Sequence, residues 1–145
     1  MDYLINYFDY IIIDCPPSLN MLTVNALTTA NTVLVPIQCE YYALEGLSQL
    51  IYTINLVQER LNPNLKLSGV IITRYEKNRL SEMYLDKIKT ELGAAVLMPV
   101  IHKATKIAQA ASFGQNIYDY DPDGKATREY LEIAQKLALR VMGED

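Results

Sequence analysis

Four short runs of continuous apolar and β-branched residues punctuate this chain, at 10–13, 32–37, 67–73 and 95–101, and longer stretches of helical period separate them. Such alternation is the mark of an α/β fold, a mostly parallel sheet flanked by helices. The runs are continuous rather than alternating in hydrophobicity, which predicts cover on both faces of the sheet. Leu44, Leu47, Ile51, Ile54 and Val57 fall at three- and four-residue steps and predict one helix that ends near Asn62 and Pro63. A second stripe, Leu85, Ile88 and Leu92, follows Ser81 as a candidate N-cap and stops at Gly93. A third helix is predicted over 125–141, with Tyr130, Leu131, Ala134, Leu137 and Val141 inward. No repeat, low-complexity tract or linker divides the chain, so residues 1–145 read as one domain or a large piece of one.

Half of the 145 residues are hydrophobic, enough to bury a core, and no apolar run approaches the roughly 20 residues that cross a bilayer. Thirteen Lys and Arg against seventeen Asp and Glu give a net charge of -4, so any nucleic-acid contact must be local. Cys15 and Cys39 form no CxxC pair and His102 is the single histidine, which argues against a zinc site or a disulfide framework and fits a reducing cytoplasm. The first residues carry an acid and no basic region, unlike a secretory signal, and Met1 reads as a start of convenience or a truncation point.

The segment richest in chemistry is Tyr10-Ile11-Ile12-Ile13-Asp14-Cys15-Pro16-Pro17-Ser18-Leu19. A buried strand ending in a carboxylate would put Asp14 at the carboxyl edge of the sheet, where open α/β folds bind ligands. In P-loop nucleotidases an aspartate there holds Mg²⁺, usually through water. Pro16 and Pro17 forbid helix and fix an extended exit. A strand-end aspartate also serves as a plain helix cap, and the residue pattern leaves both roles open.

Residues Asp9 to Leu19 resemble the switch segment of the ParA/Soj family, part of the deviant Walker P-loop group that includes MinD. The resemblance runs on through Val35-Pro36-Ile37-Gln38 with Glu40, Ala43, Leu44 and Gly46, and through Gly69-Val70-Ile71-Ile72-Thr73-Arg74-Tyr75 with Arg79, Leu80 and Ser81. It ends in Tyr118-Asp119-Tyr120-Asp121-Pro122 and a last helix. It implies a P-loop NTPase-like fold, with Thr73 and Arg74 near adenine; Arg74 as a solvated loop cation is the plainer alternative. Where many family members read Val-Ile-Pro-Arg-Asn-Val-Arg, this chain has Val100-Ile101-His102-Lys103-Ala104-Thr105-Lys106. The proline is gone and positive charge survives at Lys103 and Lys106. Three residues apart, the two lysines would share a helical face and contact DNA phosphates, unless they are simply wet surface. His102 has no second histidine and reads as a polar residue near the nucleotide rim or as plain surface.

The six glycines stand at 46, 69, 93, 114, 124 and 143, no two of them five apart, so these residues hold no G-x-x-x-x-G-K-[ST] phosphate cradle. In the family the strand bearing that loop lies between the strand ending at Asp14 and the one near Val35. Without it, two rows of backbone groups would lose partners at about 1 to 3 kcal/mol for each buried group. Either the two strands close up, or another chain fills the slot, or the sequence is part of a longer product. The resemblance implies an ATP-dependent partition switch that uses ATP and Mg²⁺, dimerises, binds DNA non-specifically on the nucleoid and answers to a ParB-like centromere-binding partner. The absent loop predicts that this chain alone is inactive as an ATPase. The alternative is a non-catalytic fragment or regulator that pairs with a full-length relative. A MinD-like membrane anchor does not fit the acidic ending at Glu144 and Asp145.

Overall fold

The central strand explains the rest of the architecture. In a computed structural model that describes residues 4, 6–16, 18 and 20–143, the run Lys66–Thr73 is hydrogen-bonded on both edges. We number the elements α1 (Met21–Thr29), β1 (Thr32–Gln38), α2 (Tyr41–Arg60), β2 (Lys66–Thr73), α3 (Arg79–Leu92), β3 (Val96–Leu97), α4 (Thr105–Ser112), α5 (Ile117–Tyr120) and α6 (Lys125–Met142). The strands are parallel in the order β1-β2-β3, as the alternation of runs predicts. β1 pairs with β2 from Thr32↔Lys66 to Gln38↔Thr73, with one irregularity between Val33 and Leu34.

Successive side chains of β2 feed two cores, because strand residues alternate between faces. Val70 and Ile72 point into a cluster with Leu27 of α1, Leu47, Ile54 and Val57 of α2, and Leu85 and Ile88 of α3. Ile71 points the other way, to Leu97, Ile101 and Ile133, where Leu34, Ile107, Tyr130 and Leu137 complete the layer. The α2 and α3 stripes thus lie where their periodicity puts them, although the Leu44 side chain is outside the described set. Asn62, which follows the end of α2, donates to the carbonyls of Leu27 and Ala30 at 3.0 and 2.8 Å. Those contacts occupy acceptors that the end of α1 leaves without helical partners.

Several expectations need correction. Residues 10–13 form no strand: they are coil, and Ile12 is 93 % exposed. A strand forms only against a neighbour, and no run among the described residues lies between this segment and β1. The two strands have therefore not closed up. The outer edge of β1 has no partner strand among the described residues, and Pro36 is exposed there. Cys39 N–H donates to Thr73 O and the Thr73 hydroxyl to Ile37 O, so odd-numbered residues of β1 aim at β2. Pro36 aims outward, where a missing N–H breaks no ladder bond. The cover predicted on both faces holds for β2 but not for the end of β1, where Pro36 and Gln38 are exposed.

The run 95–101 is a two-residue strand because Pro99 has no N–H to give the ladder, and pairing resumes at Ile101, whose N–H reaches Ile72 O at 2.8 Å. Asn78, not Ser81, caps α3, its side chain accepting from Ser81 N at 2.9 Å. The inner face of α6 is set by Ala126, Ile133 and Leu137, with Tyr130 half-buried; Leu131, Ala134 and Val141 face outward. At about 100° per residue, Ile133 fixes that phase and turns 131, 134 and 141 away. Helices α1, α4 and α5 carry too few periodic apolar residues to be foreseen.

Two substitutions separate the packed sheet from the uncovered segment. Ile72→Ala, at a fully buried position, should lower the unfolding free energy by about 2 to 5 kcal/mol. Ile12→Ala should change it by less than about 0.5 kcal/mol. Urea unfolding midpoints at equal slope would measure both.

Candidate functional site at the carboxyl edge of the sheet

Parallel strands present their carboxyl ends together, and here those ends are Gln38 of β1 and Thr73 of β2. The Thr73 hydroxyl donates to Ile37 O at 3.0 Å and so ties the two ends. Arg74 follows with φ of 53°, a left-handed backbone that costs a side-chain-bearing residue roughly 1 to 2 kcal/mol. Strain of that kind persists where neighbours fix both sides. Here Thr73 O accepts from Cys39 N–H and Tyr75 N–H donates to Ile101 O at 3.0 Å. The exposed Arg74 guanidinium donates from Nη1 to Gln38 Oε1 at 3.4 Å. Thr73 and Arg74 therefore lie together at this rim.

Asp14 and Pro16 lie exposed in the coil before α1, not at a strand end, because the strand that would carry Asp14 does not form. Pro17 lies outside the described residues. Lys103 precedes α4 and Lys106 is in its first turn, so they do not share a helical face. Each lysine meets an acid: Lys103 pairs with Glu76, and Lys106 Nζ lies 2.7 Å from Asp121 Oδ1. The Lys103 hydrogen bond and charge, helped by Arg74, hold the Glu76 carboxyl below its ordinary range. Local positive charge is thereby largely cancelled.

Sequence reasoning missed Glu129. Although only 7 % exposed, it accepts from His102 N–H through Oε2 at 2.9 Å and meets His102 Nδ1 through Oε1 at 2.7 Å. Lys125 Nζ stands 3.6 Å from the same Oε1. The signal lay in the pattern: position 129 falls between Ala126 and Ile133 on the inner face of α6, and a charge on a core-facing stripe needs partners. Burial pushes the Cys39 thiol up, and its Sγ–H donates to Ser81 O at 3.2 Å. Among the described residues no group of three or more His, Cys, Asp or Glu is placed to hold a metal ion, and no helix is long and apolar enough to cross a membrane.

The sequence pattern of a family described as an AAA domain matches residues 1–67. The chain is 44 % identical over 132 residues to the sporulation initiation inhibitor protein Soj of Bacillus subtilis, covering 90 % of this chain and 52 % of that protein. It belongs to the ParA/Soj family. Identity to the chromosome partitioning protein ParA of Caulobacter vibrioides NA1000 is 43 % over 134 residues, covering 92 % of this chain and 50 % of that one. The chain thus spans about half the length of the curated relatives it matches. Cobyrinic acid a,c-diamide synthase from Mycobacterium smegmatis, solved with a bound ATP analogue and magnesium, superposes with a TM-score of 0.78 at 34 % identity. That match covers 99 % of this chain and 52 % of the other. The fold is that of P-loop NTPases of the ParA and MinD type.

Arg74→Gly should keep the unfolding free energy within about 1 kcal/mol of the parent, since glycine adopts this backbone freely. Arg74→Val should lower it by roughly 1 to 2 kcal/mol, because a β-branched residue suffers most at positive φ. Thermal and urea unfolding of the two variants provide the comparison.

Proposed function

We propose that these residues serve an ATP-dependent DNA-binding switch in chromosome or plasmid partitioning, acting as a dimer in the cytoplasm on nucleoid DNA with a ParB-like centromere-binding partner. The observation that carries this reading is the family match over nine-tenths of the chain, joined to a rim at the carboxyl edge of the sheet. In it, Thr73 and Arg74 border the base, and Asp14, with Pro16 and Pro17 shaping its loop, faces Mg²⁺ through water. Lys103 and Lys106 hold DNA phosphates.

The residues present fit one half of a Mg-ATP site. The half-buried Thr73 and exposed Arg74 offer a base-side wall, while the phosphate side needs a glycine-rich G-x-x-x-x-G-K-[ST] loop, a motif that residues 1–145 do not contain. An exposed Asp14, outside any group of three or more metal-ligating side chains among the described residues, suits a cation held mainly by phosphates and water. Bound Mg²⁺ would neutralise charge on the phosphoryl group; the chain's own part is to orient the base and to supply one carboxylate.

Two measurements test the proposal. The chain alone should show no saturable Mg-ATP binding by calorimetry. A chimera in which it replaces the matching half of the Bacillus subtilis Soj protein should bind and hydrolyse ATP. In that chimera Asp14→Ala should slow hydrolysis on the order of 100-fold, the scale of lost metal-centred charge stabilisation. A chimera that folds yet ignores ATP would overturn the reading.

The DNA contact has its own test. Because Glu76 and Asp121 occupy the lysines, Glu76→Gln with Asp121→Asn should tighten non-specific duplex binding by the chimera about threefold or more at low salt. Fluorescence anisotropy should show the gain vanish when Lys103 and Lys106 are changed to alanine. A gain that survives those changes would remove them from the DNA surface.

A further inference from the structure

The buried carboxylate of Glu129 has a role that the nucleotide reading does not use. Its two oxygens take the backbone N–H and the ring Nδ1 of one residue, His102, at 2.9 and 2.7 Å. An ionised carboxylate offers acceptors alone, so Nδ1 carries the ring proton in this pairing. A fork of this kind fixes the backbone and the side-chain rotamer of His102 together.

His102 is in turn bound to the rim. Tyr75 and His102 form a parallel bridge in which Tyr75 N–H donates to Ile101 O and Lys103 N–H donates to Tyr75 O, each at 3.0 Å. The Tyr75 ring meets the His102 ring edge to face, with centroids 5.3 Å apart. Tyr75 directly follows the strained Arg74. A continuous path of short contacts therefore runs from α6 through Glu129, His102 and Tyr75 to the backbone that carries Thr73 and Arg74.

This bridge uses the N–H groups of Tyr75 and Lys103 and leaves that of His102 pointing elsewhere. A proline, which the resembling pattern has at this position, would cost the bridge nothing. Histidine brings an extra, partly buried backbone donor, and Glu129 accepts it. His102 in the loop and the buried acid on α6 thus satisfy one another.

We infer that Glu129 is a positioning residue: acting through His102 and Tyr75, it holds the base-side rim in register with α6. The inference rests on the proposed nucleotide site for its consequence, but its geometry is testable without nucleotide.

Amide hydrogen exchange followed by NMR on the 145-residue chain decides it. In Glu129→Leu the Tyr75, His102 and Lys103 amides should exchange at least about tenfold faster while those of Val70 and Ile72 keep their rates, a local rather than global opening. The ring nitrogens of His102 should lose their Nδ1-protonated signature. His102→Pro removes the donor that Glu129 serves, so in that background Glu129→Leu should add less than about twofold to the exchange of Tyr75 and Lys103. Unchanged rates in Glu129→Leu, equal acceleration of Val70 and Ile72, or full additivity with His102→Pro would each overturn the assignment. In the ATP-competent chimera, Glu129→Leu should raise the Mg-ATP dissociation constant about fivefold or more. An unmoved constant there, with local exchange altered as expected, would sink the link to the rim. A parent chimera that binds no ATP would instead condemn the nucleotide reading.

Discussion

The two hydrogen-bond ladders of β2 support every other feature. A parallel central strand with Val70 and Ile72 at 0 % exposure has no water for its backbone groups, so both edges must be paired along its length. β1 supplies one edge over its whole run. On the other, β3 contributes two residues before Pro99 interrupts, and the chain recovers the ladder through Ile101 and Lys103. That interruption places His102 beside Tyr75, and with it the rim beside α6.

The same pairing rule accounts for what is left open. The outer edge of β1 carries Pro36 with its missing donor turned away from β2, and the apolar residues Ile11 to Ile13 lie uncovered. Apolar side chains at 37 to 93 % exposure gain nothing where they stand, and a further strand against β1 would give them a surface to cover. Around the rim, charge is handled locally: Glu76, Asp121 and Glu129 each meet a cation or a histidine, in keeping with a molecule whose net charge is -4.

Much of this was legible in the residues. The α/β class, the stripes of α2 and α3 and the stop at Gly93 follow from hydrophobic period and turn chemistry, which act over a few residues. The phase of α6 was not, because Leu131, Ala134 and Val141 are as apolar as the residues that pack; contact with the sheet chooses between two stripes. Nor was the capping of α3, where Asn78 and Ser81 are both good caps and the chain's exit from β2 selects the first.

The sequence by itself determined the three strands of the sheet, the helices α2, α3 and α6, their order and the family. Tertiary structure alone decided that residues 10–13 stay outside the sheet, that Lys103 and Lys106 are each neutralised, and that Glu129 meets His102. These are contacts between residues 15 to 27 positions apart, or the lack of any partner strand, and short-range periodicity carries no record of either. Pairing across such distances depends on which faces and edges the completed sheet leaves free, and that is settled when the layers pack.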